Sequence, residues 1–357
     1  MKPNQITLDN ATNIIRTIGH TNTVLLTGQP GVGKSAILHT LARSMPDYFP
    51  CYIDCANLDL GDLGMPVIDR EEMVTRYAPN IRFGIGAGQN RPVLLMVDEL
   101  GKALRPVLNM LLPVLNERRL GDVMLPRGSI VFGTTNLATD GVGDNIPAHA
   151  YNRMTVVDVA NPTSDEWLMW AAANDIAPEV MLFARDYPQI FQRYDELAPK
   201  ATNAYIFNPL SGNIKAFCSP RSLERASNII KQRDILTTLN VPLLPALVGT
   251  IGEAAARDLE ANLALADALP SFDAIKTQPS KVKLPGGVAA YFLMAYSLAS
   301  KIKPDNLDAV MTYLARWTSF EASALFMTTV CGNSTKLAFA AKNREFIQAA
   351  AKVGKFF

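Results

Sequence analysis

Gly28-Gln-Pro-Gly-Val-Gly-Lys-Ser35 lies directly behind the apolar run Thr23-Val-Leu-Leu-Thr27 and ahead of Ala36 to Met45, a stretch with the periodicity of a helix. Strand, Gly-rich loop and helix N-terminus in that order give a G-x-x-x-x-G-K-[ST] match its physical meaning. The glycines let successive backbone N–H groups point inward at an anion. Lys34 supplies a point charge for phosphate oxygens, and the Ser35 hydroxyl is a ligand for Mg²⁺. The phosphate-binding set is therefore Gly28, Gln29, Pro30, Gly31, Val32, Gly33, Lys34, Ser35 and Ala36. The pattern implies a bound nucleoside triphosphate, with ATP the default. No guanine-reading N-K-x-D follows the loop, which favours adenine only by absence.

A second element fits the first. Pro92-Val-Leu-Leu-Met-Val-Asp98-Glu99 is an apolar run ending in two acids, as expected of a central strand whose last side chains emerge beside the phosphate loop. Asp98 is placed to hold the Mg²⁺ shell with Ser35, and Glu99 to polarise the attacking water. The bland reading makes the pair a polar cap at a strand end. Ile130-Val-Phe-Gly-Thr-Thr-Asn136 predicts a neighbouring strand. The Asn136 amide can reach the γ-phosphate or the lytic water, or can close an Asx turn. Arg153 follows a Gly/Asp/Asn-rich loop, and Arg221 opens a later helix after Ser219-Pro220. A guanidinium near a γ-phosphate stabilises transferring charge, although a surface ion pair is the commoner fate of an arginine.

The bulk numbers set wider bounds. The 357 residues suit two or three domains, and a formal net charge of +1 gives no global field toward nucleic acid or an anionic membrane. Cys51, Cys55, Cys218 and Cys331 neither form a disulfide framework nor combine with the three histidines into a zinc set, so they are expected as small core fillers. The N-terminus lacks the apolar core of a signal peptide, and no apolar tract is long enough to span a bilayer. A cytoplasmic location is expected, in the host cell if a virus or mobile element encodes the chain, with no membrane insertion.

The pattern predicts an α/β fold, a parallel sheet covered by helices over residues 1–160, with strands at Thr23–Thr27, Cys51–Asp54, Val93–Val97, Ser129–Gly133 and Thr155–Val159. Asn161-Pro-Thr-Ser-Asp-Glu marks a break, with Thr163 or Ser164 capping a helix. An all-α domain is expected over 161–268. Its helices read as Trp167–Asn174, Pro178–Arg185, Ser222–Leu236 and Thr250–Ala266. Pro270–Pro285 reads as an exposed linker, and 269–357 as a helical extension with helices at Gly287–Ala299, Asn306–Ser319 and Lys342–Lys352. Ile14, Ile15 and Ile18 could cover a nucleotide base or form an ordinary helix face.

Taken together, Gly28–Ser35, Asp98–Glu99, Asn136, Arg153 and Ser219-Pro220-Arg221 resemble, in order and spacing, the AAA+ ATPases. Leu108 to Arg119, the hairpin-like Leu120 to Gly128, and Pro220-Arg221 look closest to the MoxR-like branch. The resemblance covers roughly residues 10 to 260. It implies a P-loop core, a helical lid, ATP and Mg²⁺ as cofactors, and a homo-oligomeric ring, usually a hexamer. It makes Lys34, Glu99, Asn136, Arg153 and Arg221 the catalytic set, with Asn136 as sensor 1, Arg153 the finger that reaches a neighbour's ATP, and Arg221 as sensor 2. Ser35 and Asp98 are the metal residues. Two places depart from the branch: Leu100-Gly-Lys-Ala follows the acidic pair, and Met154 stands where phenylalanine is usual after the arginine.

The branch implies a chaperone-like role, remodelling or activating a partner protein, often one with a von Willebrand type A domain. Residues 59–83, rich in charge and aromatics, are by the resemblance a loop facing the ring's central surface or its partner, or else an irregular solvated connection. Lys102, Arg105, Arg118, Arg119 and Arg127 leave a nucleic-acid track open, although no stacking aromatics interleave them. A nucleic-acid-associated ATPase for replication, loading or packaging is thus the second reading, and a nucleotide-dependent assembly scaffold the third.

Overall fold

The computed structural model describes residues 5–86, 89–136, 146–198, 201–210 and 215–354. The Gly/Asp/Asn-rich loop before Ile146 lies outside the described residues. The chain divides into two compact units, Met1–Asn161 with Asn208–Leu210, and Pro162–Phe207 with Ser211–Phe357.

The first unit runs β1 (Gln5–Ile6), α1 (Leu8–Ile18), β2 (Val24–Thr27), α2 (Ala36–Ser44), β3 (Phe49–Asp54), β4 (Gly64–Asp69), β5 (Val74–Pro79), β6 (Val93–Asp98), α3 (Arg105–Glu117), β7 (Arg119–Leu120), β8 (Val123–Met124), β9 (Ile130–Thr135), α4 (Ala148–Tyr151) and β10 (Thr155–Val159). Six strands form one sheet in the order β1-β10-β2-β9-β6-β3, with every neighbouring pair parallel. The five expected strands are all present. The short β1 adds an edge beside β10.

Side-chain alternation explains why the strands read as unbroken apolar runs. Leu94 and Met96 enter one core with Val24, Leu26, Phe132 and the Ile15 face of α1. Leu95 and Val97 enter the other with Leu25, Val131 and the Leu108–Leu111–Leu115 face of α3. Both faces of the central strands β6 and β9 are dry, as a helix-covered parallel sheet requires. Phe132 alone, fully buried, contributes about 1.5–3 kcal/mol. Ile14 and Ile18 pack beside Ile15 on this core, so the ordinary helix-face reading holds.

The segment 59–83 is not an irregular connection. β4 and β5 pair antiparallel from Gly64↔Pro79 to Asp69↔Val74, leaving Met65, Val67, Ile68, Met73 and Tyr77 exposed. The expected hairpin after α3 is β7–β8, and the Tyr77 N–H donates to Asp122 between its strands at 2.9 Å.

The second unit is helical: α5 (Ser164–Ala173), α6 (Pro178–Asp186), α7 (Pro220–Lys231), α8 (Arg233–Thr238), α9 (Leu244–Ile251), α10 (Glu253–Asp267), α11 (Phe272–Thr277), α12 (Val288–Lys301), α13 (Leu307–Leu314), α14 (Phe320–Cys331), α15 (Ser334–Ala340) and α16 (Arg344–Val353). Thr163 caps α5 in a reciprocal capping box with Glu166. The single helix expected over Thr250–Ala266 breaks at Gly252, whose φ of 87° no other residue adopts cheaply. The expected helix over Ser222–Leu236 breaks likewise at Gln232.

The expected exposed linker over Pro270–Pro285 is instead a packed segment. It contains α11, whose Ile275 is fully buried. Its irregular backbone is held by side chains: Arg316 donates to Pro279 O at 2.6 Å and Val282 O at 2.8 Å, and the Tyr313 hydroxyl to Lys283 O at 3.0 Å. α12 joins two cores, with Tyr291, Phe292, Leu293 and Tyr296 on one and Met294, Ala295, Leu298 and Ala299 on the other. Cys51, Cys55 and Cys218 are buried as expected, and Cys331 is exposed. Burial pushes the Cys51 thiol up to about 11. No helix among the described residues is long and apolar enough to cross a membrane.

Candidate nucleotide site

The loop from Gly28 to Ser35 leaves the carboxyl end of β2 and delivers the chain into α2. Gly31 and Gly33 have φ of 80° and 112°, values that bend successive peptide N–H groups toward one side. Among the described residues, the backbone N–H groups of Gly31, Val32, Gly33 and Ser35 reach no acceptor. With the positive end of α2 beside them, these donors form an anion cradle. Gln29 is fixed from the far side, its side-chain oxygen accepting from Asn161 Nδ2 at 2.9 Å.

Lys34 is buried at 7% exposure. Its ammonium donates to Gly28 O at 2.5 Å, Gln29 O at 2.9 Å and Asn136 Oδ1 at 3.4 Å. The structure therefore brings Asn136, at the end of β9, to the phosphate loop, as β9 lying between β2 and β6 requires.

Ser35 occupies the N-cap of α2 without capping it. Its hydroxyl donates instead to Asp98 Oδ2 at 3.1 Å. Asp98 closes β6 and is itself buried. The same Oδ2 accepts from the Tyr52 hydroxyl at 2.9 Å, and Oδ1 accepts from Thr134 Oγ1. Tyr52 and Thr134 are the two site residues that sequence reasoning missed. One signal was available for Tyr52: two residues before the strand-ending Asp54, it shares a strand face with a residue in register with Asp98. Partial burial, then the bond to Asp98, push its phenol well above the ordinary range. Burial and the nearby carboxylates of Asp54, Asp98 and Glu99 push the Cys55 thiol up to about 12, so it is an inert neutral filler under this site.

Glu99 takes a left-handed backbone, φ 52° and ψ 42°. Its N–H donates to Thr134 Oγ1 at 3.2 Å, and its carboxylate pairs with Lys102 at 2.6 Å. The departure from the branch pattern after the acidic pair thus supplies a cation to Glu99. Ser35, Asp98, the cradle and Lys34 fit a triphosphate with magnesium. Hard oxygen donors lie side by side, and Mg²⁺ takes one or two protein groups and leaves its other positions to phosphate and water. Among the described residues no group of three or more His, Cys, Asp or Glu forms a metal cage.

Arg153 is not brought into this cluster. Arg153 precedes β10, whose first residue Thr155 pairs with Val24 at the start of β2. It therefore lies at the amino edge of the sheet, while the phosphate loop leaves the carboxyl edge. Its side chain is exposed and makes no ion pair or hydrogen bond among the described residues. Arg221 belongs to the second unit, exposed in the first turn of α7 behind the Ser219 cap. Of the five basic residues that left a nucleic-acid track open, Lys102, Arg118 and Arg119 are engaged within the chain. The Arg118 guanidinium is half-buried, donating to Thr23 Oγ1 at 2.8 Å, Leu115 O at 2.6 Å and Gly19 O at 2.9 Å, and burial lowers it to about 10. Arg119 pairs with Glu117 at 2.9 Å, and Lys102 with Glu99.

Residues 24–157 match the profile of the family described as "ATPase family associated with various cellular activities (AAA)". This stretch, from β2 to β10, has the P-loop AAA fold. No curated protein matches the chain in sequence. Among solved structures, the chain is similar to a mutant form of Thermotoga maritima RuvB at 15% identity and a TM-score of 0.40, covering 88% of this chain and 91% of that one. It is similar to the Thermotoga maritima RuvB Holliday junction branch migration motor at 16% identity and a TM-score of 0.39, covering 88% and 90%. NtrX from Brucella abortus in complex with ADP is similar at 14% identity and a TM-score of 0.40, covering 97% and 68%.

Proposed function

We propose that this chain hydrolyses ATP with magnesium in a homo-oligomeric ring, a hexamer in the MoxR-like manner, and uses the cycle to remodel or activate a partner protein. The observation that carries the hydrolytic reading is the convergence of Lys34, Ser35, Asp98, Glu99 and Asn136 around the unpartnered N–H groups of one loop. Phosphate oxygens displace the neutral Gly28 and Gln29 carbonyls from Lys34, because a charged acceptor makes roughly twice as strong a bond. Ser35 and Asp98 would hold magnesium, which would supply positive charge against that developing on the phosphates. Asn136 binds the γ-phosphate or orients water. Glu99, released from Lys102, positions and deprotonates the attacking water.

Arg153 completes a neighbouring subunit's site. What supports action in trans is its place at the amino edge of the sheet, remote from its own chain's phosphate loop. In this reading residues 161–268 act as a lid carrying Arg221, and 269–357 are an extension of the lid. A protein partner is favoured over nucleic acid by two observations. Lys102, Arg118 and Arg119 are engaged within the chain, whereas the β4–β5 hairpin presents Met65, Val67, Ile68, Met73 and Tyr77 to solvent. The partner class, including a von Willebrand type A protein, rests on the MoxR resemblance.

The test uses purified full-length protein. Glu99→Gln should bind ATP at near-parental affinity while kcat falls by about 100-fold or more, and Lys34→Ala should lose ATP binding. Mixing Arg153→Ala with Lys34→Ala subunits should restore part of the turnover. Unchanged turnover in Glu99→Gln would remove the hydrolytic assignment. Absence of rescue in mixed assemblies would remove the shared site.

A further inference from the structure

We propose that Tyr52 is a positioning residue for the metal-binding carboxylate, and that its hydroxyl sets how strongly magnesium tightens nucleotide binding. The inference rests on reading this site as a magnesium–nucleotide site. Asp98 Oδ2 accepts two hydroxyl donors, Ser35 Oγ at 3.1 Å and Tyr52 OH at 2.9 Å, while Oδ1 is engaged by Thr134. Thr134 and Tyr52 come from the strands on either side of β6, so the carboxylate is held from both flanks in the plane of the sheet. Ser35 is the donor whose oxygen also serves the metal. Tyr52 is therefore the clamp on Oδ2 that stays in place when Ser35 is engaged by a cation.

The exposure of Tyr52 separates this role from a packing role. β3 is an edge strand, and Tyr52 is 49% exposed. Water partly replaces the bond of a residue this exposed, so the bond to Asp98 adds little to folding. Losing one charge-assisted hydrogen bond changes an equilibrium by about 3- to 10-fold when water partly replaces it. The effect should appear in the response to magnesium and hardly at all in the fold.

The experiment follows N-methylanthraniloyl-ATP fluorescence in the Glu99→Gln background, so that no turnover intervenes, with Mg²⁺ titrated from an EDTA baseline. Tyr52→Phe should raise the half-saturating Mg²⁺ by about 3- to 10-fold. Nucleotide affinity in EDTA should stay within about twofold, and the melting temperature within about 1 °C. Asp98→Asn is the reference and should abolish most of the magnesium response. If Asp98→Asn loses the response but Tyr52→Phe keeps the parental midpoint, or shifts it downward, the role of Tyr52 is overturned and the site reading stands. If the Glu99→Gln parent shows no magnesium response at all, the site reading fails and the inference with it.

Discussion

Thr134→Val changes the site by one atom type at nearly constant shape. Thr134 is 1% exposed on β9, and its hydroxyl works twice, donating to Asp98 Oδ1 and accepting the Glu99 N–H at 3.2 Å. Valine leaves a carboxylate oxygen short of its donor, a loss of about 1.5–3 kcal/mol, and a backbone N–H unpartnered at about 1–3 kcal/mol. The two are coupled and the neighbouring backbone relaxes, so the sum is taken near its lower end, about 3 kcal/mol. For a domain of this size that is about 6–12 °C in Tm. The choice of assay matters because all three tryptophans, Trp167, Trp170 and Trp317, belong to the second unit. Tryptophan fluorescence is therefore silent on the first unit, and calorimetry is needed, with added nucleotide identifying which transition carries the site. Thr134→Ser is the control: it keeps the hydroxyl and loses a buried methyl, at about 1 kcal/mol. A Thr134→Val transition within about 1 °C of the parent, or serine and valine melting together, would refute the argument that this hydroxyl holds both acids.

Two further outcomes follow from other parts of the chain. Gly84 has φ +66°, and a Cβ there would lie 2.7 Å from Cys51 Sγ, 3.0 Å from Phe49 Cδ1 and 3.1 Å from Val93 Cγ2. Gly84→Ala should therefore destabilise the first unit by about 2–5 kcal/mol, left-handed strain and overpacking together, read as a lowered urea midpoint by circular dichroism. In the second unit, burial raises the Glu179 carboxyl above its ordinary value. The folded state thus binds this proton more tightly than the unfolded chain. Burial of the ionised form costs stability at neutral pH, and the cost is relieved as pH falls through the folded pKa. Glu179→Gln should melt higher than the parent at pH 7.5 by tryptophan fluorescence, with the margin closing toward pH 4; a margin independent of pH would contradict the desolvation account.

What could be read from the sequence is what burial writes into it. Val93 to Val97 announced a central strand because alternate side chains supply two different cores, so every position had to be apolar. The β4–β5 hairpin was illegible for the opposite reason. Met65, Val67, Ile68 and Tyr77 are exposed on both of its faces, so no contrast of period two marks the strands. Tyr52 and Thr134 carry residue types that any strand favours, and their value to Asp98 arises only from register. Nothing local distinguishes Arg118, which is drawn inward onto Gly19 and Thr23, from Arg119, which stays at the surface with Glu117. α14 was missed because it is apolar on most sides and carries Thr328-Thr329-Val330 in its last turn, a β-branched run that reads as strand. The Pro270–Pro285 segment has a loop's composition, but the donors that order it, Tyr313 and Arg316, come from about thirty residues further on.

Residues between the two acids and the β7–β8 hairpin show how the site is held. Glu99 ahead of α3 and Arg118 behind it both adopt left-handed backbone, at φ 52° and 58°. Each position costs about 1–2 kcal/mol for a residue with a Cβ, and glycine or asparagine would be the ordinary choice at a helix end. Such strain persists only where surrounding bonds over-determine it. At Arg118 the guanidinium makes three hydrogen bonds, fastening α3 to the start of β2 through Thr23 and to the end of α1 through Gly19. Charge-assisted bonds of that number outweigh the strain. At Glu99 the compensation is thinner. Its N–H donates to Thr134, its carbonyl accepts from the Lys102 N–H at 2.8 Å, and its side chain makes one partly exposed pair with the Lys102 ammonium, which in the proposed cycle is released. When the Lys102 ammonium lets go, the Glu99 N–H is still held by Thr134, which also holds Asp98, and the Glu99 carbonyl by the Lys102 N–H. The unequal support at the two ends of α3 is why a buried threonine methyl-for-hydroxyl exchange should disturb the site more than the loss of any single surface charge around it.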